Sequence, residues 1–502
     1  MRDARPWPGA RVRYDPVVLA FPSMQFSDVV AAIPEARRRG DATLTDVAFD
    51  SREVHEGALF FCVPGGAVNG HVFAGAAIEA GAVALVVERW LDLAVPQALV
   101  PSVREAMGPM SARVFGEPAR AMTMVGVTGT NGKTTVTYLL EAVFARMGLR
   151  PGVVGTNGAR IDGEPVPLVR TTPEAPDLHR LLARMRDVGT GAVAMEVSSH
   201  AMDQHRVGGV TFDAVAFTNL SQDHLDYHAS MDAYFEAKAG LFSPGYADRG
   251  VVNADDPWAR RLLDDPGIPI STFAIDAPAD LRASDVNVGA EGLSFRVGQR
   301  RVHSPLRGRF NVSNCLAALA IARAIGIDED VAVAGIGAVP EVPGRVQPVD
   351  AGQGFLVVVD YAHTPDSIQT VLQAARPLTA GRLIVVFGCG GDRDRAKRPL
   401  MGRAATSNAD LSVITSDNPR SEDPGAIIAE IEPGAVEGGG RFVIEPDRRA
   451  AVRLAMREAE PGDTVVIAGK GHEPYQEAGG RRVPFDDREI ALAELAEIGH
   501  RP

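Results

Sequence analysis

The ten residues Gly126-Val-Thr-Gly-Thr-Asn-Gly-Lys-Thr-Thr135 restrict this chain to folds in which a buried strand ends in a glycine-rich turn that opens a helix. An apolar run, Met122 to Val127, leads into the turn. Val136, Leu139, Leu140, Val143, Phe144 and Met147 then recur at helical spacing, and Gly148 supplies a stop. Such a turn is a phosphate cradle, because backbone N–H groups and the helix dipole both point at the anion. Lys133 is expected to reach the outer phosphates of a nucleotide, and the Thr134 hydroxyl to sit on a magnesium ion. The strict spacing asks for glycine at 127, where valine stands, so the motif is a variant. A merely tight turn would explain the glycines but not the Lys-Thr-Thr directly behind them.

The 502 residues suggest roughly three domains. A formal charge of −13 argues against nucleic acid or an anionic membrane as the main partner, so an anionic substrate must meet local basic groups. Cys62, Cys315 and Cys389 are far apart, without metal-ligand spacing, and read as buried, reduced residues. No apolar stretch approaches the ~20 residues of a membrane span. Met1 to Pro16 mix arginine and proline without a continuous apolar core and read as a loose extension, not a secretory signal. The expected location is cytoplasmic.

Short strands such as Ala58–Val63 and Val83–Val87 mark a first block. From the phosphate loop to about residue 345, strands (Ala192–Val197, Ala214–Phe217, Gly250–Val252) alternate with helical segments, which predicts a largely parallel sheet covered by helices. Val339-Pro-Glu-Val-Pro-Gly-Arg345 reads as a linker. Alternation then restarts with Phe355–Val359, a helix from Pro365, Leu383–Phe387, Leu411–Thr415 and Thr464–Ala468. The expectation is an α/β protein of three domains: a smaller α/β domain over 1–118, a central doubly wound ATPase-type sheet over 119–345, and a Rossmann-like sheet over 346–502.

Ligands of open α/β sheets gather beyond the carboxyl ends of strands, and this chain repeatedly places unusual polar clusters there. They are Glu196-Val-Ser-Ser-His200, Thr218 to His228, Asp360-Tyr-Ala-His363, Gly388 to Arg395, Asp417-Asn-Pro-Arg420 and Gly469-Lys-Gly-His-Glu473. Six such clusters together with a phosphate loop predict a cleft. Glu196, at a buried strand end, would be costly unless a divalent cation neutralised it. His224 is a candidate metal ligand, although a lone histidine is more often a hydrogen-bonded structural residue. Lys238, by spacing alone, reads as an ordinary helix-surface lysine. Arg393 and Arg420 follow neighbouring strands and could converge on one carboxylate; Pro419 fixes the turn that aims Arg420. Residues alone thus lead to an ATP-dependent enzyme with a second, carboxylate-bearing substrate.

Taken in order, Asp50-Ser-Arg52, Gly129 to Thr135, Glu196 to His200, Asp223-His-Leu-Asp-Tyr-His228, Phe310-Asn311, Gly344-Arg345, Asp360 to His363, Asp417 to Arg420 and Gly469 to Glu473 resemble the Mur ligase family, specifically its diaminopimelate-adding members. The resemblance runs from about Asp50 to Asp487. It implies a cell-wall (peptidoglycan) enzyme, tied to cell shape, growth and division, that joins meso-diaminopimelate to UDP-N-acetylmuramoyl-L-alanyl-D-glutamate through an acyl phosphate and acts as a monomer. It implies that Gly129, Thr130, Asn131, Gly132, Lys133, Thr134 and Thr135 bind ATP with Asn311 and Arg345, and that Thr134, Glu196, His224 and Lys238 organise magnesium. Lys133, Glu196, His224 and Lys238 would be catalytic, with Lys238 carrying a carbamate, which reverses its surface reading. Ser51, Thr171, Thr172, Ser198, Gln204 and Arg206 would hold the UDP substrate. Arg393, Asp417, Asn418, Pro419, Arg420, Gly469 and Glu473 would hold diaminopimelate, whose extra carboxylate distinguishes it from lysine.

Gln347 stands where the family often has Glu, Ser313 replaces a frequent aromatic near Asn311, and Gly65 to Asn69 is less typical. Joining an amine to an acyl phosphate requires excluding water, so the last domain is expected to close about Pro343–Val346. The same ligase adding L-lysine, a folylpolyglutamate-type ligase and a nucleotide-binding regulatory module are the alternatives.

Overall fold

The structure is a computed structural model describing residues 23–65, 68–289 and 291–500. The Met1–Pro16 extension, and Gly66 and Ala67 of the less typical stretch, lie outside the described residues. The chain forms three α/β domains, and its contacts gather into two compact units. One holds residues up to Thr123 with Gly158–Gly191 and His200–Thr211; the other holds Met124–Asn157, Ala192–Ser199 and the chain from Phe212 onward.

In the first unit the sheet runs Arg37–Arg39, Gln97–Leu99, Ala82–Val87, Ala58–Phe61, Asp46–Ala48, parallel except for its Arg37–Arg39 edge. Alternation along Ala58–Phe61 divides it between two cores. Leu59 and Phe61 pack with Met107, Met110 and Phe115, whereas Ala58 and Phe60 pack with Ala74, Ala77 and Leu85. Helix Val103–Val114 starts where the Ser102 hydroxyl accepts from Glu105 N at 3.2 Å.

In the second unit, strands Arg150–Gly155, Thr190–Glu196, Thr123–Thr128, Ala214–Phe217, Gly250–Asn253 and Ile270–Ala274 lie in that order. Pairing is parallel from Thr123–Thr128 through to the start of Leu281–Gly289. The expected strand–helix alternation fails beyond this point. Leu281–Gly289, Gly292–Val297 and Arg300–Ser304 form an antiparallel ribbon. Its Leu293, Phe295 and Val302 extend the core in which helices Lys133–Arg146 and Arg309–Ala324 bury Val136, Leu140, Phe144, Leu316 and Ile321. The ribbon buries one face only, so its strands need no covering helices on the other.

The last sheet runs Gln347–Pro348, Leu356–Asp360, Thr464–Ala468, Leu383–Phe387, Leu411–Ile414, Phe442–Ile444, parallel apart from its first strand. Both faces are buried: Val358, Val385 and Val466 point to one core, and Val357, Val359, Ile384, Val386 and Ile467 to the other. The final strand in sequence sits between the second and third. That insertion makes a topological switch point, where the loops after Asp360, Phe387 and Ala468 diverge and leave a crevice.

Candidate active site

Strand Thr123–Thr128 ends in the loop that opens helix Lys133–Arg146. Gly129 (φ 138°) and Gly132 (φ 89°) take conformations that side chains rarely adopt. A Cβ on Gly129 would lie 2.0 Å from Thr218 Oγ1, and one on Gly132 2.4 Å from Asn314 Oδ1. Thr130 N donates to Asn219 O at 2.8 Å, Asn131 N to Asn219 Oδ1 at 2.9 Å, and Thr218 Oγ1 to Asn131 O at 2.6 Å, so the neighbouring strand end fixes the loop. Lys133 Nζ donates to the carbonyls of Gly129 and Thr130 at 3.0 and 2.8 Å. Its surroundings lower the ammonium pKa by desolvation, while Glu196 raises it and Arg345 lowers it.

Thr134 Oγ1 donates to Glu196 Oε1 at 2.9 Å and accepts from Arg345 Nη2 at 2.9 Å. Thr156 holds the same carboxylate twice, through N to Oε1 and Oγ1 to Oε2, each at 2.9 Å. Glu196 is 1% exposed. A buried carboxylate beside a hydroxyl at a helix N-terminus is an oxygen donor set of the kind magnesium takes, so Thr134 and Glu196 fit that ion. Among the described residues, no group of three or more His, Cys, Asp or Glu gathers as a metal site. The Arg345 guanidinium also lies 4.6 Å from the Tyr361 ring, linking the phosphate loop to the Asp360–His363 cluster.

Lys238 corrects its surface reading. It is 1% exposed, donates to Gly129 O at 2.8 Å and lies 4.7 Å from the Tyr234 ring. Burial and the nearby Lys133 charge hold its pKa well below the ordinary lysine value. His224, at φ 55°, places Nε2 3.4 Å from Asp223 Oδ2. Burial pushes the Asp223 carboxyl up, but His224, His363 and Lys397 outweigh it and hold it below the usual carboxylate range. His363 Nδ1 faces Tyr361 O at 2.7 Å, which makes it the donor and leaves Nε2 as the acceptor nitrogen.

Asn311 is buried, with Nδ2 on Arg307 O at 2.7 Å and Oδ1 accepting from Asn314 at 2.8 Å. Gln347 bridges Gly344 N to its Oε1 at 2.9 Å and Glu341 Oε1 to its Nε2 at 3.0 Å. A glutamate there could accept from Gly344 but would face Glu341 as a like charge, so the amide suits this chain's own neighbour.

The acceptor candidates meet across adjacent strands. Gly390 lies between Arg393 and Arg420, since a Cβ on it would be 3.8 Å from Arg393 Cγ and 2.9 Å from Arg420 Nη1. Arg420, at φ 53°, donates to Gly391 O at 2.6 Å, and its backbone pairs with Glu477 and Gly479. Asn418 Nδ2 donates to Glu473 Oε2 at 2.8 Å. Gly469, at φ 118°, passes so close that a Cβ would be 2.8 Å from Asp417 Oδ2. The Glu473 carboxyl is pushed up by burial and by Asp417, with Lys470 opposing.

In the first unit, Arg206 donates to Thr172 O at 3.2 Å and Gln204 Oε1 at 2.6 Å, and its Nε lies 3.1 Å from Glu174 Oε1. Thr172, Gln204 and Arg206 are thus gathered, with Thr171 next in the chain. Ser51 opens a short 3-10 turn capped by Asp50, whose carboxylate accepts from Arg52 N at 3.0 Å. Ser198 belongs to the second unit, beside Glu196.

The sequence models of three domains match this chain: the Mur ligase family catalytic domain over 43–113, the Mur ligase middle domain over 127–322 and the Mur ligase glutamate ligase domain over 344–471. A protein of Geobacillus thermodenitrificans named UDP-N-acetylmuramoyl-L-alanyl-D-glutamate–2,6-diaminopimelate ligase is 44% identical, aligning 94% of this chain with 100% of its own length. The chain belongs to the Mur ligase family. A Streptomyces avermitilis relative of the same name is 46% identical over 93% of this chain and 94% of its own. A solved structure bearing that name superposes with a TM-score of 0.68 at 35% identity, covering 95% of this chain and 100% of the other. As a Mur ligase, the chain is an acid–amino-acid ligase. Folylpolyglutamate synthase of Mycobacterium tuberculosis, complexed with ADP and AMPPCP, shares the fold at 18% identity and a TM-score of 0.61, covering 80% of this chain and 95% of its own.

Thr156, Asn314, Asp223, Lys397 and Lys470 enter these sites without having been singled out by spacing. Only Asp223 and Lys470 carried a signal, as charged members of clusters already noted at strand ends.

Proposed function

We propose that this protein uses ATP to join meso-diaminopimelate to the D-glutamate side-chain carboxylate of UDP-N-acetylmuramoyl-L-alanyl-D-glutamate, forming a peptidoglycan precursor. The domain ending near 118 would hold the uridine substrate through Ser51, with Thr171, Thr172, Ser198, Gln204 and Arg206 on its muramoyl dipeptide. The domain over 119–345 would hold ATP through Gly129 to Thr135, Asn311 and Arg345, and the domain over 346–502 the amino acid. The observation supporting this reading is the cluster in which the Arg420 guanidinium and the Arg393 stem border Gly390 while Asn418 engages Glu473. Two guanidinium groups suit carboxylate, and Glu473 suits ammonium, as one amino-acid head group requires. The names of the relatives agree with it.

The substrate carboxylate attacks the γ-phosphate, giving ADP and an acyl phosphate. The free amine then attacks the acyl carbon, and phosphate leaves. Lys133 stabilises charge on the transferring phosphoryl group, where positioning and electrostatics supply most of the catalysis. Thr134 and Glu196 would hold magnesium, with His224 and Lys238 completing the expected set, and the ion would supply charge that offsets repulsion between carboxylate and ATP. A carbamate on Lys238 would put a metal-ligating anion in place of the amine; burial and the Lys133 charge hold the Lys238 pKa well below the ordinary lysine value, which favours the neutral amine that adds to carbon dioxide. Arg345 orients Thr134 and ties the loop to the linker. Val346, a β-branched residue at φ 45°, follows directly, a strained position consistent with a hinge between the domains.

Phosphate release from ATP, measured with the UDP-dipeptide and either meso-diaminopimelate or L-lysine, tests the reading. Turnover with diaminopimelate alone supports it; preference for lysine overturns the acceptor, and no turnover with either overturns the ligase assignment.

A further inference from the structure

Lys470 is wholly buried, yet the proposed reaction gives it no role. It lies between Gly469 and Gly471, at φ 118° and 56°, just after strand Thr464–Ala468. A Cβ on Gly471 would lie 2.8 Å from Tyr361 Cβ, so the chain passes close to its neighbours on both sides of the lysine. The two glycine turns direct the lysine into the protein instead of toward water.

An ammonium has three N–H donors. One goes to Asn418 Oδ1 at 2.9 Å. The nitrogen is also 3.6 Å from Asp417 Oδ1 and 3.6 Å from Glu473 Oε2. Asn418 Oδ1 accepts a second bond, from Glu477 N at 2.9 Å. Two donors on one oxygen define which end of the amide is which, and they turn Nδ2 toward Glu473. Asp417 Oδ1, on a residue only 7% exposed, has no hydrogen-bond partner among the described residues. With its nearest cation, Lys470, 3.6 Å off and beyond hydrogen-bond distance, that buried oxygen keeps a lone pair open to an incoming ammonium.

We propose that Lys470 is a positioning residue for the amino-acid substrate: it locks the Asn418 amide and holds Asp417 and Glu473 together as the seat of the incoming ammonium. The inference rests on the reading that this pocket takes diaminopimelate. Asp417 and Glu473 then face the ammonium, and Arg420 the carboxylate, of one amino-acid head group. Without Lys470 the two carboxylates repel, one takes up a proton, and the amide loses the donor that sets its direction. The charged and titratable groups facing Glu473 are Asp417, Lys470, Arg420, Arg448, Tyr361 and Tyr475. Arg448 is already engaged by Asp487 at 2.6 Å, so it does not replace Lys470.

The test is steady-state phosphate release by the full-length protein, with each substrate varied in turn across pH, for the parent, Lys470→Met and Asn418→Asp. Lys470→Met is expected to raise KM for diaminopimelate at least tenfold and to leave KM for ATP and the UDP-dipeptide within twofold. The acidic limb of kcat/KM for diaminopimelate moves to higher pH, because Glu473 without Lys470 holds its proton longer. Asn418→Asp keeps an oxygen for Lys470 but removes the N–H given to Glu473; it moves the same limb the same way and serves if the lysine variant does not fold. A lower Tm with KM and limb unmoved makes Lys470 merely structural and overturns the inference, as does an unmoved Asn418→Asp. Failure of the parent to use diaminopimelate overturns instead the reading beneath it.

Discussion

Lys238 Nζ donates a 2.8 Å hydrogen bond to the carbonyl of Gly129, so a helix residue 109 positions downstream reaches the first turn of the phosphate loop. The contact brings the residue expected to carry a carbamate against the loop expected to bind ATP. With Lys133 lowering its pKa further, the buried amine favours its neutral form, the form that adds to carbon dioxide. Activity is expected to fall in buffer stripped of carbon dioxide and to return with bicarbonate. Lys238→Met, of similar length and apolar, is expected to lower kcat by about a hundredfold, a loss typical of removing a transition-state charge stabiliser, and to ignore bicarbonate. Equal bicarbonate responses in parent and variant would falsify this role.

Gly129→Ala combines a φ of 138° with a Cβ 2.0 Å from Thr218 Oγ1. The loop must shift before the side chain fits, at a cost of about 1–3 kcal/mol. The expected result by calorimetry is ATP affinity weaker by tenfold or more, alongside a lowered Tm. Unchanged affinity would mean that this loop does not contact nucleotide.

Arg420→Lys keeps the charge but loses the planar pair of donors. Diaminopimelate KM is expected to rise by about ten- to a hundredfold, matching the ~1.5–3 kcal/mol of a charged hydrogen bond, while KM for ATP stays put. The preference over lysine should shrink with it. A variant with parental preference would remove Arg420 from acceptor recognition.

His179 is fully buried, with Nε2 on Gly208 O at 2.8 Å and no hydrogen-bond partner for Nδ1 among the described residues. Burial pushes its pKa from 6.5 down to about 4, the Gly208 carbonyl opposing only in part. Between those values the unfolded chain binds the proton that the folded one refuses. Stability therefore falls as pH drops from 6.5 toward 4 and levels off below, by on the order of 3 kcal/mol from this group. His179→Gln, which retains a donor for Gly208, is expected to show a flatter stability profile by denaturant melts across that window. Parallel profiles would show that His179 is not the source.

How much of this was legible in sequence depended on whether the signal was local. The phosphate loop, the strands and the polar clusters at their ends follow from periodicity and glycine placement, and the structure has them there within a few residues. Lys238 does not: its spacing suits an exposed helix face. Helix Met231–Ala239 nevertheless buries Tyr234, Phe235 and Lys238, and the four-residue step from Tyr234 was a usable sign that the lysine shares the inward face. Thr156 on Glu196 and Asn314 beneath Gly132 are long-range contacts without a local pattern. The antiparallel ribbon over 281–304 was hidden because its short strands read like those of the parallel sheet before it. Its antiparallel pairing is fixed by tight turns such as the one at Gly298, φ 56°.

The most direct measurement is a competition: the protein, ATP, magnesium and UDP-N-acetylmuramoyl-L-alanyl-D-glutamate with equal meso-diaminopimelate and L-lysine, the products weighed by mass spectrometry. The UDP-product is expected to gain one diaminopimelate, with ADP formed in equal amount, as the proposed function requires. A product carrying lysine, or ADP formed without any product, would contradict it.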